Sequence, residues 1–424
     1  MKRFVFLLTL FLLLFVYNAY TEVIDGEVHE YENYKYIVLE DETVEIKEYF
    51  GEESKIVIPS QIYGKSVSVI GKKAFAGKRL REITFPESIR EIEDQAFSNV
   101  FGMNKIVVPE GVVHIGEEAF FACSDLISVQ FPKSLRYIGK KAFAFCSLRN
   151  ELSILAHDLI VDNEAFLSCK MINKVVISGN SISIGDSVFE KCYGLNDVKL
   201  SEGIVSIGNY AFFSCHNLEK VQIPCSVLSF GNEVFEECDS LNSIYVSPDN
   251  NILAVKDGAL YRKKEKELIF YPFIDDNGSV VVIPNGVKKL GSGIFAGSNI
   301  SNIQIPESLE HIGAEAFYNC PLLVNINIPH NVESIGMNAF KDCKELRTVM
   351  LSENLIEIGF RAFGSCVNLQ EIRIPDSVKH IEAYAFSNCP NLIITVGRDS
   401  YARQYCIDNG LRYTYDDIDS WLDD

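Results

Sequence analysis

Twelve cysteines and seven histidines are the side chains of this sequence best suited to nucleophilic or metal chemistry. Their placement argues for packing instead. Ten cysteines (Cys123, Cys146, Cys169, Cys192, Cys215, Cys238, Cys320, Cys343, Cys366 and Cys389) each follow a phenylalanine by three residues, a constant phase that belongs to a repeating core. The C-x-x-C spacing of a zinc site is absent, and Cys225 and Cys406 stand outside the phase with no obvious partner. His114, His311 and His380 also share a phase, six residues before a phenylalanine. His311 and His380 are three units apart. At ~4.8 Å per strand that is about 15 Å, too far to share an ion held at about 2 Å per ligand. Surface histidines are expected.

Other catalytic signatures are missing. Gly291-Ser292-Gly293 with Gly297 has the outline of a dinucleotide loop, yet Gly291 and Phe295 are ordinary members of the repeat. No G-x-S-x-G, H-E-x-x-H or P-loop sequence occurs, and carboxylates recur on every unit without forming a distinct pair. The expectation is a protein without catalytic residues, metal or cofactor.

The elements that position these side chains follow from the phenylalanine. The phrase Ile115-Gly116-Glu117-Glu118-Ala119-Phe120 returns as Ile335-Gly336-Met337-Asn338-Ala339-Phe340. Aligned on its ring it occurs at Phe75, Phe97, Phe120, Phe143, Phe166, Phe189, Phe212, Phe235, Phe295, Phe317, Phe340, Phe363 and Phe386. The steps are 22 or 23 residues, with one of 60 between Phe235 and Phe295. Thirteen copies at one period mean a solenoid, whose units bury their apolar faces only by stacking. After each ring comes an alternating pair such as Val221/Ile223, Ile326/Ile328 or Ile372/Ile374, a short strand with one face inward. A proline often closes it, because proline lacks the amide donor of a ladder. A second short extended segment, such as Ser377 to Ile381, leads to the next glycine. The G-x-x-A-F-x-x-C segment reads as one helical turn that plugs the ring into the core.

The combined phrase I-G-x-x-A-F-x-x-C-x-x-L-x-x-I-x-I-P-x-S-V resembles the BspA-type leucine-rich repeat family, from about Tyr34 to Tyr415. The reading is an α/β repeat solenoid, a leucine-rich-repeat superhelix of 22–23-residue coils with short parallel strands and one short helical turn per coil. Residues 1–20 read as a signal peptide and 21–70 as an N-terminal capping unit. Repeats occupy 71–398 with a hairpin insertion at about 247–280, and a C-terminal cap and acidic tail fill 399–424. The unit through Leu152, Ile154 and Val161 lacks both Pro and Gly, so an irregular coil is expected there. The resemblance implies a surface adhesin.

Within this frame the ten phased cysteines resemble the Asn/Cys site of leucine-rich repeats, where a small side chain packs beneath a turn. Neighbouring coils bring their Cα atoms to ~5 Å, within disulfide reach by distance. Parallel side chains would strain the ~90° dihedral, however. Buried free thiols are the favoured reading, a disulfide ladder the alternative, and a metal ladder lacks the required short spacings.

Two surfaces qualify for recognition. The insertion reads as a β-hairpin, Ala259-Leu260-Tyr261-Arg262 and Leu268-Ile269-Phe270-Tyr271-Pro272 around a charged tip, and Tyr245, Tyr261, Phe270, Tyr271 and Phe273 form its aromatic cluster. Insertions in solenoids often map to the binding face; packing of these rings onto their own coil is the plainer reading. The second surface is the residue between each inward pair: Thr84, Val107, Gln130, Ser153, Val176, Lys199, Gln222, Tyr245, Gln304, Asn327, Met350 and Arg373. This stripe has no single charge sign, and it suits hydrogen bonding to a protein or polysaccharide, or simple solvation.

Composition limits the partners. With 39 basic and 58 acidic residues the chain carries −19, which disfavours nucleic acid or an anionic membrane as main partner. Lys2 and Arg3 ahead of an apolar run from Phe4 to Tyr17 read as an export signal, too short to span a bilayer comfortably, with an uncleaved N-terminal anchor as the alternative. The acidic end (Asp416, Asp417, Asp419, Asp423, Asp424) lacks the spacing of a calcium loop. The expectation is a secreted or cell-surface monomer that recognises an extracellular protein or glycan. A self-associating structural component of the cell envelope is the alternative.

Overall fold

The computed structural model describes residues 26–272 and 280–416. The signal segment at 1–20, Phe273 and the tail from Asp417 onward lie outside the described residues. The chain winds as a β-solenoid of about 16 turns, with 23-residue coils and little helix. Each coil contributes two short parallel strands. Lys105–Val107 lies beside Ser128–Gln130 of the next coil. His114–Ile115 lies between Glu91–Ile92 below and Tyr137–Ile138 above. The apolar members of these strands, Ile106 and Ile115 among them, are buried.

The A-F segment is where the structure departs from expectation. No helical turn forms there; the one α-helix among the described residues is Tyr401–Asp408, in the C-terminal cap. In every coil the residues two before and two after the phenylalanine are left-handed, for example Glu118 (φ 54°) and Ala122 (φ 53°) around Phe120. A right-handed helical turn cannot continue through such a residue. The amides instead alternate in direction. Those of Ala119, Phe121 and Cys123 close turns on Gly116, Glu118 and Phe120 of their own coil at 3.0–3.3 Å. Those of Glu118, Phe120 and Ala122 reach Lys140, Ala142 and Ala144 of the next coil at 2.7–2.9 Å.

Such close approach explains the glycine four residues before the ring. A Cβ on Gly139 would lie 2.5 Å from the carbonyl carbon of Gly116. Inside, the rings stack almost face to face, with centroids 4.9 Å apart for Phe75–Phe97 and 5.5 Å for Phe363–Phe386. Tyr49 covers the first ring at 5.4 Å, and Tyr405 of the helix meets the last one edge-on at 6.4 Å.

In the coil through Leu152 the strand is longer than in most other coils, and its irregularity is a register shift between Asn150 and Glu151. Asn150–His157 pairs with Ile172–Asn180 over eight positions. Lacking the proline that ends other strands, this ladder runs on.

Two predictions follow from the backbone. Ala122→Gly is expected to stabilise the protein by about 1 kcal/mol, because glycine relieves a left-handed residue; in a helical turn the same change would destabilise by about 1 kcal/mol. Phe143→Ala, by contrast, is expected to destabilise by about 3–5 kcal/mol. Urea denaturation followed by circular dichroism measures both.

Candidate functional site

The phased cysteines hold the coils together. All twelve cysteines are free. Each of the ten donates its S–H to the carbonyl of the phenylalanine one coil earlier: Cys123 to Phe97 at 3.1 Å, Cys343 to Phe317 at 2.9 Å, Cys192 to Phe166 at 3.4 Å. Cys215, Cys320 and Cys366 make the same bond to Phe189, Phe295 and Phe340. That carbonyl already accepts the amide three residues on in its own coil, as Phe120 does from Cys123 at 3.3 Å and Phe97 from Val100 at 3.2 Å, so the thiol takes its second lone pair. The sequence indicated a packing position; the structure adds a donor. Burial pushes Cys169 up to about 12 and Cys389 to about 11, which keeps those two thiols protonated. A thiol that must deprotonate to react is thereby a poor nucleophile.

Of the five aromatics of the sequence reading Phe273 lies outside the described residues, and the other four do not make one site. Tyr245 is exposed, on the outer face of Ser243–Val246. Phe270 points inward against Phe235, edge-on at 6.1 Å. Tyr271 lies 5.4 Å from Phe295. Tyr261 is half-buried against the second core, and burial raises its hydroxyl to about 12. The hairpin, Ala259–Arg262 with Glu267–Phe270, therefore sits at a seam between two ring stacks and closes both. Its rings are packing residues.

Arg262, read only as the end of the hairpin's first strand, is the residue that completes this seam. The sheet of the first half ends at Ser229–Phe230. Where the next strand would donate amides, the guanidinium does: Nη2 reaches the Phe230 carbonyl at 3.1 Å, the Gly231 carbonyl, and Asn232 Oδ1 at 2.9 Å. Asn232 ends a ladder in which Asn163, Asp186 and Asn209 each accept the amide 23 residues on, at 2.7–2.9 Å. Glu267 balances the charge at 2.7 Å. Beside this arrangement lies a cavity of about 130 Å³ lined by Glu233, Phe235, Arg262, Glu267, Gly291 and Ser292. Burial and the carboxylates of Glu233, Glu315 and Glu237 push Glu236 up to about 8. Glu236 Oε1 fills the space at Gly293, only 2.3 Å from where a Cβ would stand.

The outer stripe lies on short parallel sheets of two to five strands. Thr84, Val107, Gln130, Ser153, Lys199, Gln222, Tyr245, Gln304, Asn327, Met350 and Arg373 are exposed and Val176 is half-exposed. Val57 and Val282 extend it at 72% and 56% exposure. Arg373 is tied to Glu353 and Asp416. The histidines are dispersed: His114 stacks on Tyr137 at 4.9 Å, and His311 Nδ1 bonds Ser334 Oγ at 2.8 Å.

Comparison with known proteins supplies the lineage of this architecture. The family model for the BspA type leucine rich repeat region matches residues 52–158, 159–279 and 266–393, most of the chain. The chain belongs to this family. Members are repeat scaffolds rather than enzymes. Among solved structures, the leucine rich cell surface protein of Faecalibacterium prausnitzii A2-165 is 25% identical, with 94% of this chain and 97% of that one covered at a TM-score of 0.58. A leucine-rich repeat protein of Bacteroides ovatus ATCC 8483 is 24% identical, covering 93% and 100% at 0.57. The pneumococcal vaccine antigen PcpA, 20% identical and covering 93% and 99% at 0.56, shares the fold. A search of curated proteins finds no match. No helix among the described residues is long and apolar enough to cross a membrane.

The seam generates two predictions. Arg262→Met is expected to destabilise by about 1–3 kcal/mol, since two half-buried carbonyls lose a charged donor. Glu236, raised in the fold, and Glu93, raised to about 7 by burial and Glu45, favour the protonated native state. Their stabilisation is complete below the unfolded carboxyl range and is lost as pH rises through about 7–8. The Glu93→Gln/Glu236→Gln variant should therefore show a flatter fall in denaturation midpoint between pH 5 and about 8.

Proposed function

We propose that the protein acts as an exported recognition scaffold at the cell surface, binding an extracellular protein or glycan along its outer stripe. The observation that carries this reading is the stripe itself: one outward side chain per coil, Thr84 to Arg373, nearly all exposed, on short parallel strands that pair with neighbouring coils in blocks of two to five. A repeat array places such a row at fixed ~4.8 Å steps, so an extended partner meets it without ordering a loop. Apolar members (Val107, Tyr245, Met350) alternate with amides (Gln130, Gln222, Gln304, Asn327), the mixture of contact and hydrogen bonding that recognition surfaces use. Kinship with a leucine rich cell surface protein supports placing the scaffold outside the cell.

An array of matrix proteins and glycans, probed with the mature chain and with Val107→Glu/Tyr245→Ala/Met350→Glu, tests the proposal. These side chains are exposed, so folding should be kept within about 0.5 kcal/mol. Retention of a partner that the variant binds about tenfold less tightly is the expected result. Capture unaffected by the variant would move the site elsewhere. No capture, together with concentration-dependent self-association in sedimentation, would favour a structural envelope component.

A further inference from the structure

We propose that Glu357, His380 and Glu382 form a binding site for a divalent transition-metal ion, with Zn²⁺ as the best match. One donor atom from each lies within 4.8 Å of the others. Glu357 and His380 are register partners on the adjacent parallel strands Glu357–Ile358 and His380–Ile381, so their side chains leave the same face. Glu382 follows His380 by two residues. An ion bound at about 2.0–2.2 Å needs donors no more than about 4.2 Å apart, which small rotations of exposed side chains achieve.

Three observations separate this cluster from ordinary surface charge. Ten of the thirteen coils have glycine at the position of Glu382, four residues before the ring, so its carboxylate is a departure from the repeat. Its Oε2 accepts the Phe360 amide at 3.0 Å, an outer contact that orients the group and leaves Oε1 available. Among the described residues neither Glu357 nor Glu382 is ion-paired, whereas nearby Glu310 and Glu353 are paired with Lys288 and Arg373. Equivalent histidines lack the full set: His114 also has a glutamate, Glu91, as register partner, but Gly116 stands where Glu382 does. His114 stacks on Tyr137, and His311 has Lys289 and Ser334 as register partners. One imidazole nitrogen and two carboxylates suit Zn²⁺; Ca²⁺ takes six to eight oxygens and gains little from imidazole. Three protein ligands at an exposed edge leave a coordination position for water or a partner's donor.

Calorimetric titration of the full chain with ZnCl2, with CaCl2 as comparison, tests the site. The expected result is one saturable Zn²⁺ equivalent. It should weaken by about tenfold or more in His380→Ala and in Glu357→Gln, on the scale of lost metal-site contacts. His311→Ala should leave it unchanged, and circular dichroism should report folded variants. Co²⁺ in place of Zn²⁺ should give no thiolate charge-transfer band. The inference is overturned if the wild-type chain shows no saturable Zn²⁺ binding, if His380→Ala binds equally well, or if a thiolate band assigns the ion to cysteine.

Discussion

The alternation of amide direction around each phenylalanine is the constraint from which the rest of this molecule follows. One amide closes a turn within its coil and the next bonds to the coil ahead, as at Phe120. That geometry requires two left-handed residues per coil, most of them with side chains, at about 1 kcal/mol each. The unfavourable conformations are offset only when coils stack, because stacking completes the amide bonds and buries the ring at once. Glycine before the ring and cysteine after it serve the same contact, the first by absence of a Cβ and the second by a thiol donor.

No coil is complete alone, so every interruption needs a substitute for the missing neighbour. At the N-terminus Tyr49 supplies it, donating its amide to the Ala74 carbonyl at 2.8 Å and its ring to Phe75. At the seam the substitute is a side chain: Arg262 takes over two carbonyls and the last oxygen of the Asn/Asp ladder. Phe270 and Tyr271 cover the two exposed rings. An insertion that looks decorative in sequence is thus the closure of one stack and the foundation of the next.

Much of this was legible in advance because it is written as one residue type at a constant interval. The thirteen rings, the alternating isoleucine and valine pairs and the cysteine phase are of that kind. The turn conformation was not, since its left-handed positions carry Lys, Gln, Glu, Ser and Tyr with little glycine to mark them. The three-residue step from Phe to Cys imitates a helical spacing, and neighbouring coils overrule it. Arg262 passed as the end of a hairpin strand because its acceptors lie about thirty residues earlier. The missing proline near Leu152 was visible, and its effect is an extended ladder with one register shift. His380 was weighed against other histidines, while its nearest donors come from the preceding coil and from its own strand.

The thiol bonds all point backward and the alternate amides all point forward, so each interface between regular coils is the same set of bonds in the same sense. A duplicated or deleted unit leaves identical surfaces on either side of the junction. Growth by unequal recombination within the gene therefore needs no compensating change anywhere except at the two caps and the Arg262 seam, which stay where they are. The molecule's reach is quantised: its lineage can lengthen or shorten the outer surface in steps of one strand spacing, ~4.8 Å, while every existing contact is preserved.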